Sequence, residues 1–365
     1  MANNMIPVTI LTGFLGSGKT TLLKRILNEK HGMKIAVIEN EFGEENIDND
    51  ILVQDTGEQI IQMSNGCICC TIRGDLARVL SDLAAQKQEG KVDFDRVVIE
   101  TTGLANPGPV AQTFFMDNQI ADEFLLDAII TLVDAKHADA QLDEHEVVQR
   151  QVGFADRLFI TKSDLVDEKT VGDLRHRLLH MNPRAQIRVV NFGEADIKEI
   201  FDLRGFNLNA KLEIDPDFLV EDDHDHAHHD HDHDHDHDHA NCDHDHGQCD
   251  HEGHDHGHHH HHHAHHDDKI KSFVFRNDRP FDPNKLEDFL GGILQIYGER
   301  LLRYKGVLYM KGVDRKVVFQ GVHQMMGSDL AAKWQPIEKK TNKMVFIGID
   351  LPQDLITDGL EACLV

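Results

Sequence analysis

Gly13-Phe14-Leu15-Gly16-Ser17-Gly18-Lys19-Thr20 is the stretch that decides the fold. It fits the pattern G-x-x-x-x-G-K-[ST] and lies where the mechanism of that pattern requires. An apolar run at 8–11 precedes it. After it, Leu22, Leu23, Ile26 and Leu27 recur at the spacing of one buried helix face. A strand, a glycine-rich turn and a helix in that order make a phosphate-binding loop. Backbone N–H groups from Gly16, Ser17, Gly18, Lys19 and Thr20, with Thr21 beside them, converge on phosphate oxygens at a helix N-terminus. Gly13 closes the turn, Lys19 reaches the β- and γ-phosphates, and the Thr20 hydroxyl takes a place on Mg²⁺.

Working outward, apolar runs at 35–38, 96–100, 128–133, 157–161 and 187–190 alternate with amphipathic segments at 76–86, 144–154 and 171–180. Apolar strands alternating with helices predict an α/β domain over 1–205, built on a doubly wound, mostly parallel sheet. Residues 206–269 are a His/Asp-rich linker that has too little apolar surface to offset its chain entropy without metal. Residues 270–365 predict a small α+β domain. Its strand at 272–275 is followed by a helix at 283–296 and two strands around a turn at 313–315. A further strand at 344–349 precedes a helix at 352–363.

Two more segments complete a nucleotide site. Arg96-Val-Val-Ile-Glu100-Thr-Thr-Gly103 delivers Glu100 to the C-terminal end of a strand, the edge at which open α/β sheets bind ligand. There Glu100 either holds Mg²⁺ through water or orients the attacking water, and the Gly103 N–H meets the γ-phosphate. Thr161-Lys162-Ser163-Asp164 follows a strand to the same edge. Asp164 is suited to the ring N–H and exocyclic amine that guanine has and adenine lacks, and the Lys162 stem packs over the base. With those donors missing, the carboxylate is expected to stay buried and unpaired, which disfavours adenine. The three segments together point to slow GTP hydrolysis, accelerated by a partner or metal.

Gly66-Cys67-Ile68-Cys69-Cys70 places three thiols within four residues. In a chain whose start lacks the pattern of an export signal, they read as metal ligands or redox groups rather than a disulfide framework. Zn–S bonds of about 2.3 Å allow all three to converge on one ion, and soft ligands favour Zn²⁺ or Cu(I). Glu39 and Glu44 are candidates for a fourth ligand. The cluster falls between the phosphate loop and Glu100, so a γ-phosphate that orders this stretch would alter metal affinity, and metal would alter nucleotide affinity equally. A different kind of metal binder runs from His224 to His266, with 22 of the chain's 28 His, plus Cys242 and Cys249. Its imidazoles offer weak, multiple, exchangeable sites for Zn²⁺, Ni²⁺, Co²⁺ or Cu²⁺.

Charge excludes other partners. Residues 221–268 carry 14 Asp and two Glu with no Lys or Arg, which supplies 16 of the net −27 and leaves −11 elsewhere. Nucleic acid and anionic lipid offer such a surface no counter-charge. The longest apolar runs fall short of the roughly 20 residues needed to span a bilayer, and a cytoplasmic location is expected. His31, His137, His145, His176, His180 and His323 are scattered and read as surface or satisfied core residues, and Trp334 and Cys363 as packing residues. Leu301-Leu-Arg-Tyr-Lys-Gly306 reads as a strand start, with contact to the other domain or a partner as the alternative.

GFLGSGKTT, IENEFGE, GCICC, RVVIETTGLANP, ITKSD, LLRYKG and VFIGI together resemble the CobW-related metallochaperone GTPases, kin to the nickel-handling HypB and UreG proteins. The resemblance covers about 6–205 and 270–365. It implies a phosphate-loop GTPase that binds Zn²⁺ or Co²⁺ and delivers it to client proteins. It also implies that Cys67, Cys69 and Cys70 surround the transferred metal, and it supports Glu39 and Glu44. Storage or buffering of metal, and cobalt loading in cobalamin biosynthesis, are the competing functions. A metal- or nucleotide-dependent homodimer is compatible with all three.

Overall fold

The computed structural model describes residues 5–39, 72–206 and 268–365. Cys67, Cys69, Cys70, Glu44 and the tract from His224 to His266, with Cys242 and Cys249, lie outside the described residues.

From the N-terminus, β1 (Ile6–Gly13) leads into α1 (Lys19–Asn28) and then β2 (Ile35–Glu39). After α2 (Ile72–Gln88) come β3 (Arg96–Glu100), α3 (Pro107–Met116), α4 (Asn118–Glu123) and β4 (Phe124–Asp134). The chain continues through α5 (Ala138–Glu144), α6 (Glu146–Phe154), β5 (Arg157–Thr161), α7 (Glu168–Met181) and β6 (Gln186–Val189). The six strands form one parallel sheet in the order β2-β3-β1-β4-β5-β6. Helices cover both faces, so the sheet is doubly wound as the apolar strands required. Two buried clusters separate accordingly. Val8, Ile10, Ala36 and Ile99 pack on one side, while Leu11, Val37 and Val98 meet Leu22, Leu23 and Ile26 of α1 on the other. Successive strand residues face opposite ways, which gives each strand to both cores.

Several boundaries differ from the sequence reading. The expected helix at 144–154 is interrupted at His145, and a separate α5 precedes α6. Helix α3 was hidden by its Pro107-Gly108-Pro109 start. Pro is tolerated in a first turn, and the Asn106 side chain caps the helix by accepting from the Gly108 N–H at 3.0 Å.

The C-terminal portion runs β7 (Ile270–Asn277), α8 (Pro283–Tyr297), β8 (Leu301–Leu308), β9 (Arg315–Val322), β10 (Met325–Lys333), β11 (Asn342–Ile349) and α9 (Gln353–Ala362). Its antiparallel sheet has the order β10-β9-β8-β11-β7. Strand β10 was not anticipated. It is an edge strand with only Ala331 buried, so it carries little of the apolar alternation by which strands are read.

All eight residues of β11 are buried, because its two faces serve different cores. Met344 and Phe346 pack with Leu286, Leu290, Ile356 and Leu360 of α8 and α9. Val345 and Ile347 join the cluster of Val152, Phe154, Leu174 and Leu178 from the parallel-sheet domain. The two domains thus share a continuous apolar core. Polar contacts fix the join: Arg177 donates to both oxygens of Asp268, at 3.1 and 2.6 Å, and Gln149 accepts from the Lys269 N–H at 3.0 Å. Arg303 pairs with Asp156 at 2.8 Å and donates to the Phe154 carbonyl at 3.0 Å. The segment Leu301–Gly306 therefore begins a strand and meets the other domain at once. Trp334 and Cys363 are buried packing residues, as expected. No described helix is long and apolar enough to cross a membrane.

Candidate functional site

The phosphate loop follows from its glycines. Gly13, Gly16 and Gly18 have φ of 142°, 73° and 98°, a region that side-chain-bearing residues rarely enter. At Gly13 the approach is also close, since an added Cβ would lie 2.5 Å from the Leu132 carbonyl and 2.7 Å from Ser17 Oγ. Ser17 is buried, and its N–H donates to the Phe14 carbonyl at 3.2 Å to close the turn. Lys19 Nζ lies within the loop, donating to the Gly13 and Phe14 carbonyls at 2.9 and 3.0 Å. Burial pushes its pKa down, and the Glu100 charge acts in the opposite sense. Thr21 is exposed beyond the loop on α1.

Glu100 ends β3 and Thr20 lies in the first turn of α1. The Thr20 hydroxyl donates to Glu100 Oε1 at 2.9 Å. Two hydroxyl- and carboxylate-bearing side chains, 80 residues apart in sequence, thus meet at the mouth of the phosphate loop. In the next strand, Glu39 is the direct register partner of Glu100. Half-buried at the end of β2, Glu39 is brought to the same sheet edge as the nucleotide residues. Glu44, the other carboxylate candidate for that ligand position, lies outside the described residues. Among the described residues, no three His, Cys, Asp or Glu side chains group as a metal site.

Gly103 follows β3 and touches the phosphate loop. A Cβ there would sit 2.6 Å from Leu15 N and 2.8 Å from Leu15 Cα, so only glycine permits the approach. The loop is held from behind by Gln151, a fully buried α6 residue whose Nε2 donates to the Gly103 and Ala105 carbonyls, both at 3.1 Å. Thr101 is tied to Thr12 by a 2.8 Å hydroxyl pair.

At the end of β5, the Thr161 hydroxyl donates to the Ser17 carbonyl at 2.8 Å, knitting the segment Thr161–Asp164 to the phosphate loop. Lys162 has φ of 56°, and its ammonium is held 2.7 Å from Asp134 Oδ2. Asp134 also accepts from the Lys136 N–H at 3.0 Å and meets His137 Nδ1 at 2.9 Å. Burial opposes its charge, but these bonds prevail and hold its carboxyl below the usual range. Asp164 lies in the short 3₁₀ turn Ser163–Leu165 and is exposed.

Three residues escaped the sequence reading. Asp134 ends an apolar strand at the ligand edge, the same signal that identified Glu100. Gln151 is a polar residue on an otherwise apolar helix face. Asn191, just past β6, accepts from the Ser163 N–H at 3.0 Å and donates to Ser163 Oγ at 2.8 Å; no local pattern marks it. Of the scattered His residues, His323 is buried against Phe154 with ring centroids 5.2 Å apart. His145 stacks on Phe14 of the phosphate loop at 4.8 Å.

The profile described as CobW/HypB/UreG, nucleotide-binding domain, matches residues 7–189, and that of the cobalamin synthesis protein cobW C-terminal domain matches 270–364. The chain is 39% identical over 354 residues to the zinc chaperone YjiA of Escherichia coli K12, covering 97% of each. It is 40% identical over 208 residues to the zinc-regulated GTPase metalloprotein activator 1 of Schizosaccharomyces pombe, covering 55% of this chain and 50% of that protein. The crystal structure of the Zn(II)-bound YjiA GTPase superposes with a TM-score of 0.74 at 35% identity, over 99% of both chains.

Proposed function

The chain belongs to the CobW/HypB/UreG family, and from that premise we propose that it hydrolyses GTP to GDP and phosphate and uses the cycle to load and release a transition metal. Zn²⁺ is the favoured cargo, with Co²⁺ or Ni²⁺ as alternatives, and a metal-dependent client protein is the recipient. The observation that carries this reading is the chain of contacts from Glu39 through Glu100 to Thr20. A candidate metal ligand is thereby one strand from the carboxylate that touches the phosphate loop.

Each residue has a role in that cycle. Backbone N–H groups of Gly16, Ser17, Gly18, Lys19 and Thr20 bind the phosphates, and Lys19 turns from the Gly13 and Phe14 carbonyls to the β- and γ-phosphates. Thr20 and Glu100 are hard oxygen donors, which fit Mg²⁺. When bound, that ion would neutralise charge developing on the phosphates. Glu100 orients the attacking water, and the Gly103 N–H senses the γ-phosphate. Asp164 reads the guanine edge while Asp134 fixes the Lys162 stem over the base. Cys67, Cys69 and Cys70, with Glu39 and Glu44, hold the transferred metal, and the His tract gathers ions for them.

The decisive test is competitive metal titration of protein lacking 224–266, first with GDP and then with a non-hydrolysable GTP analogue. A tenfold shift, equal to about 1.4 kcal/mol, is expected. Unchanged affinity would leave two unrelated sites on one chain. The 22 His residues between 224 and 266 favour a second reading, metal storage with a regulatory GTPase domain. Loss of the tight site on deletion of the tract would support it.

A further inference from the structure

The segment Asn191-Phe192-Gly193-Glu194, after β6, has no role in the reading above. Its Phe192 ring is 74% exposed, and its φ of 53° is one that bulky residues rarely adopt. Neighbours on two sides fix its place. On one, the Val190 N–H donates to the Ile160 carbonyl at 2.8 Å, and Asn191 makes its two bonds to Ser163, between Lys162 and Asp164. On the other, Gly193 lies against α1, where an added Cβ would be 3.0 Å from the Thr21 carbonyl and 3.1 Å from Leu22 Cα. The loop therefore bridges the helix that follows the phosphate loop and the segment that carries the base-reading carboxylate. A large apolar ring is held open to water at the ligand-binding edge of the sheet.

We propose that Phe192 is a nucleotide-contacting residue whose ring stacks on one face of the purine, while Asp164 reads the edge of the same base. The inference rests on the reading of the chain as a GTPase. A purine presents an aromatic face to any ring held parallel to it, and such stacking contributes substantially to binding at single bases. Selectivity for guanine remains with Asp164. Phe192 raises affinity for the base and shields the carboxylate's hydrogen bonds from water.

The test uses the full chain, with GDP and inorganic pyrophosphate as probes. Phe192→Gly removes the ring and relieves the backbone, so thermal stability without nucleotide should hold or rise. GDP affinity should fall about tenfold, with pyrophosphate affinity unchanged. Phe192→Trp keeps a stacking ring, and GDP should quench its added emission. Trp334, the chain's one tryptophan, is buried and serves as the internal reference. Equal GDP affinity in the parent and Phe192→Gly, an equal loss toward pyrophosphate, or unquenched emission from Phe192→Trp would each overturn the inference alone. A parent that binds no GDP would overturn the GTPase reading and this inference together.

Discussion

Arg303 on β8 and Asp156 just before β5 form an ion pair of 2.8 Å at the join of the two domains, with both side chains buried. The Asp156 carboxylate also accepts from the Ile129 N–H at 3.0 Å, so it anchors β4 as well. Removing one partner leaves a buried charge uncompensated. Arg303→Ala should therefore destabilise the protein by about 3–5 kcal/mol. Chemical denaturation of the parent, the single variant and Arg303→Met/Asp156→Asn checks this, with the double variant expected to recover part of the loss.

Glu100→Gln keeps an oxygen for the Thr20 hydroxyl but removes the charge. Single-turnover GTP hydrolysis should slow about 10²-fold or more, while GDP affinity without Mg²⁺ stays close to that of the parent. A parent-like rate in this variant would remove Glu100 from the chemistry.

Gly103→Ala introduces a methyl 2.6 Å from Leu15 N. Neither backbone can give way freely, so overpacking of about 1–3 kcal/mol is expected. Binding of a non-hydrolysable GTP analogue should weaken about tenfold, more than GDP binding, because the displaced N–H is the one assigned to the γ-phosphate.

His323 predicts a dependence on acid. Burial pushes its pKa below the ordinary value, the Gly298 carbonyl pulls it back, and the Arg150 charge depresses it further. The unfolded chain therefore binds a proton more readily than the folded one. Stability is complete above the unfolded value of about 6.5 and is lost as pH falls toward the lower folded value. His323→Gln should flatten that slope. Thermal melts of both proteins between about pH 5 and 7 measure the difference, in which titration of the His tract cancels.

Deletion of residues 224–266 should lower the number of Zn²⁺ ions bound while leaving one tight site, as read by competition with a chelating dye. Loss of the tight site itself would transfer the thiolate role to the tract.

The sequence alone determined the parallel-sheet architecture and the phosphate loop, because both are written in local order. A strand, Gly13 to Thr20 and an amphipathic helix are contiguous, and Glu100 and Thr161 end apolar runs whose direction is set by the α/β alternation. The strongly clustered thiols and imidazoles were equally plain, since clustering is itself a property of sequence. Tertiary structure decided what depends on pairing between distant segments. Register made Glu39 the neighbour of Glu100, and the fold brought Gln151 to Gly103, Asn191 to Ser163 and Asp134 to Lys162. It also turned one face of β11 toward the other domain. A residue's periodicity tells which face it occupies, but not which distant surface covers that face; only packing of the whole chain selects the partner.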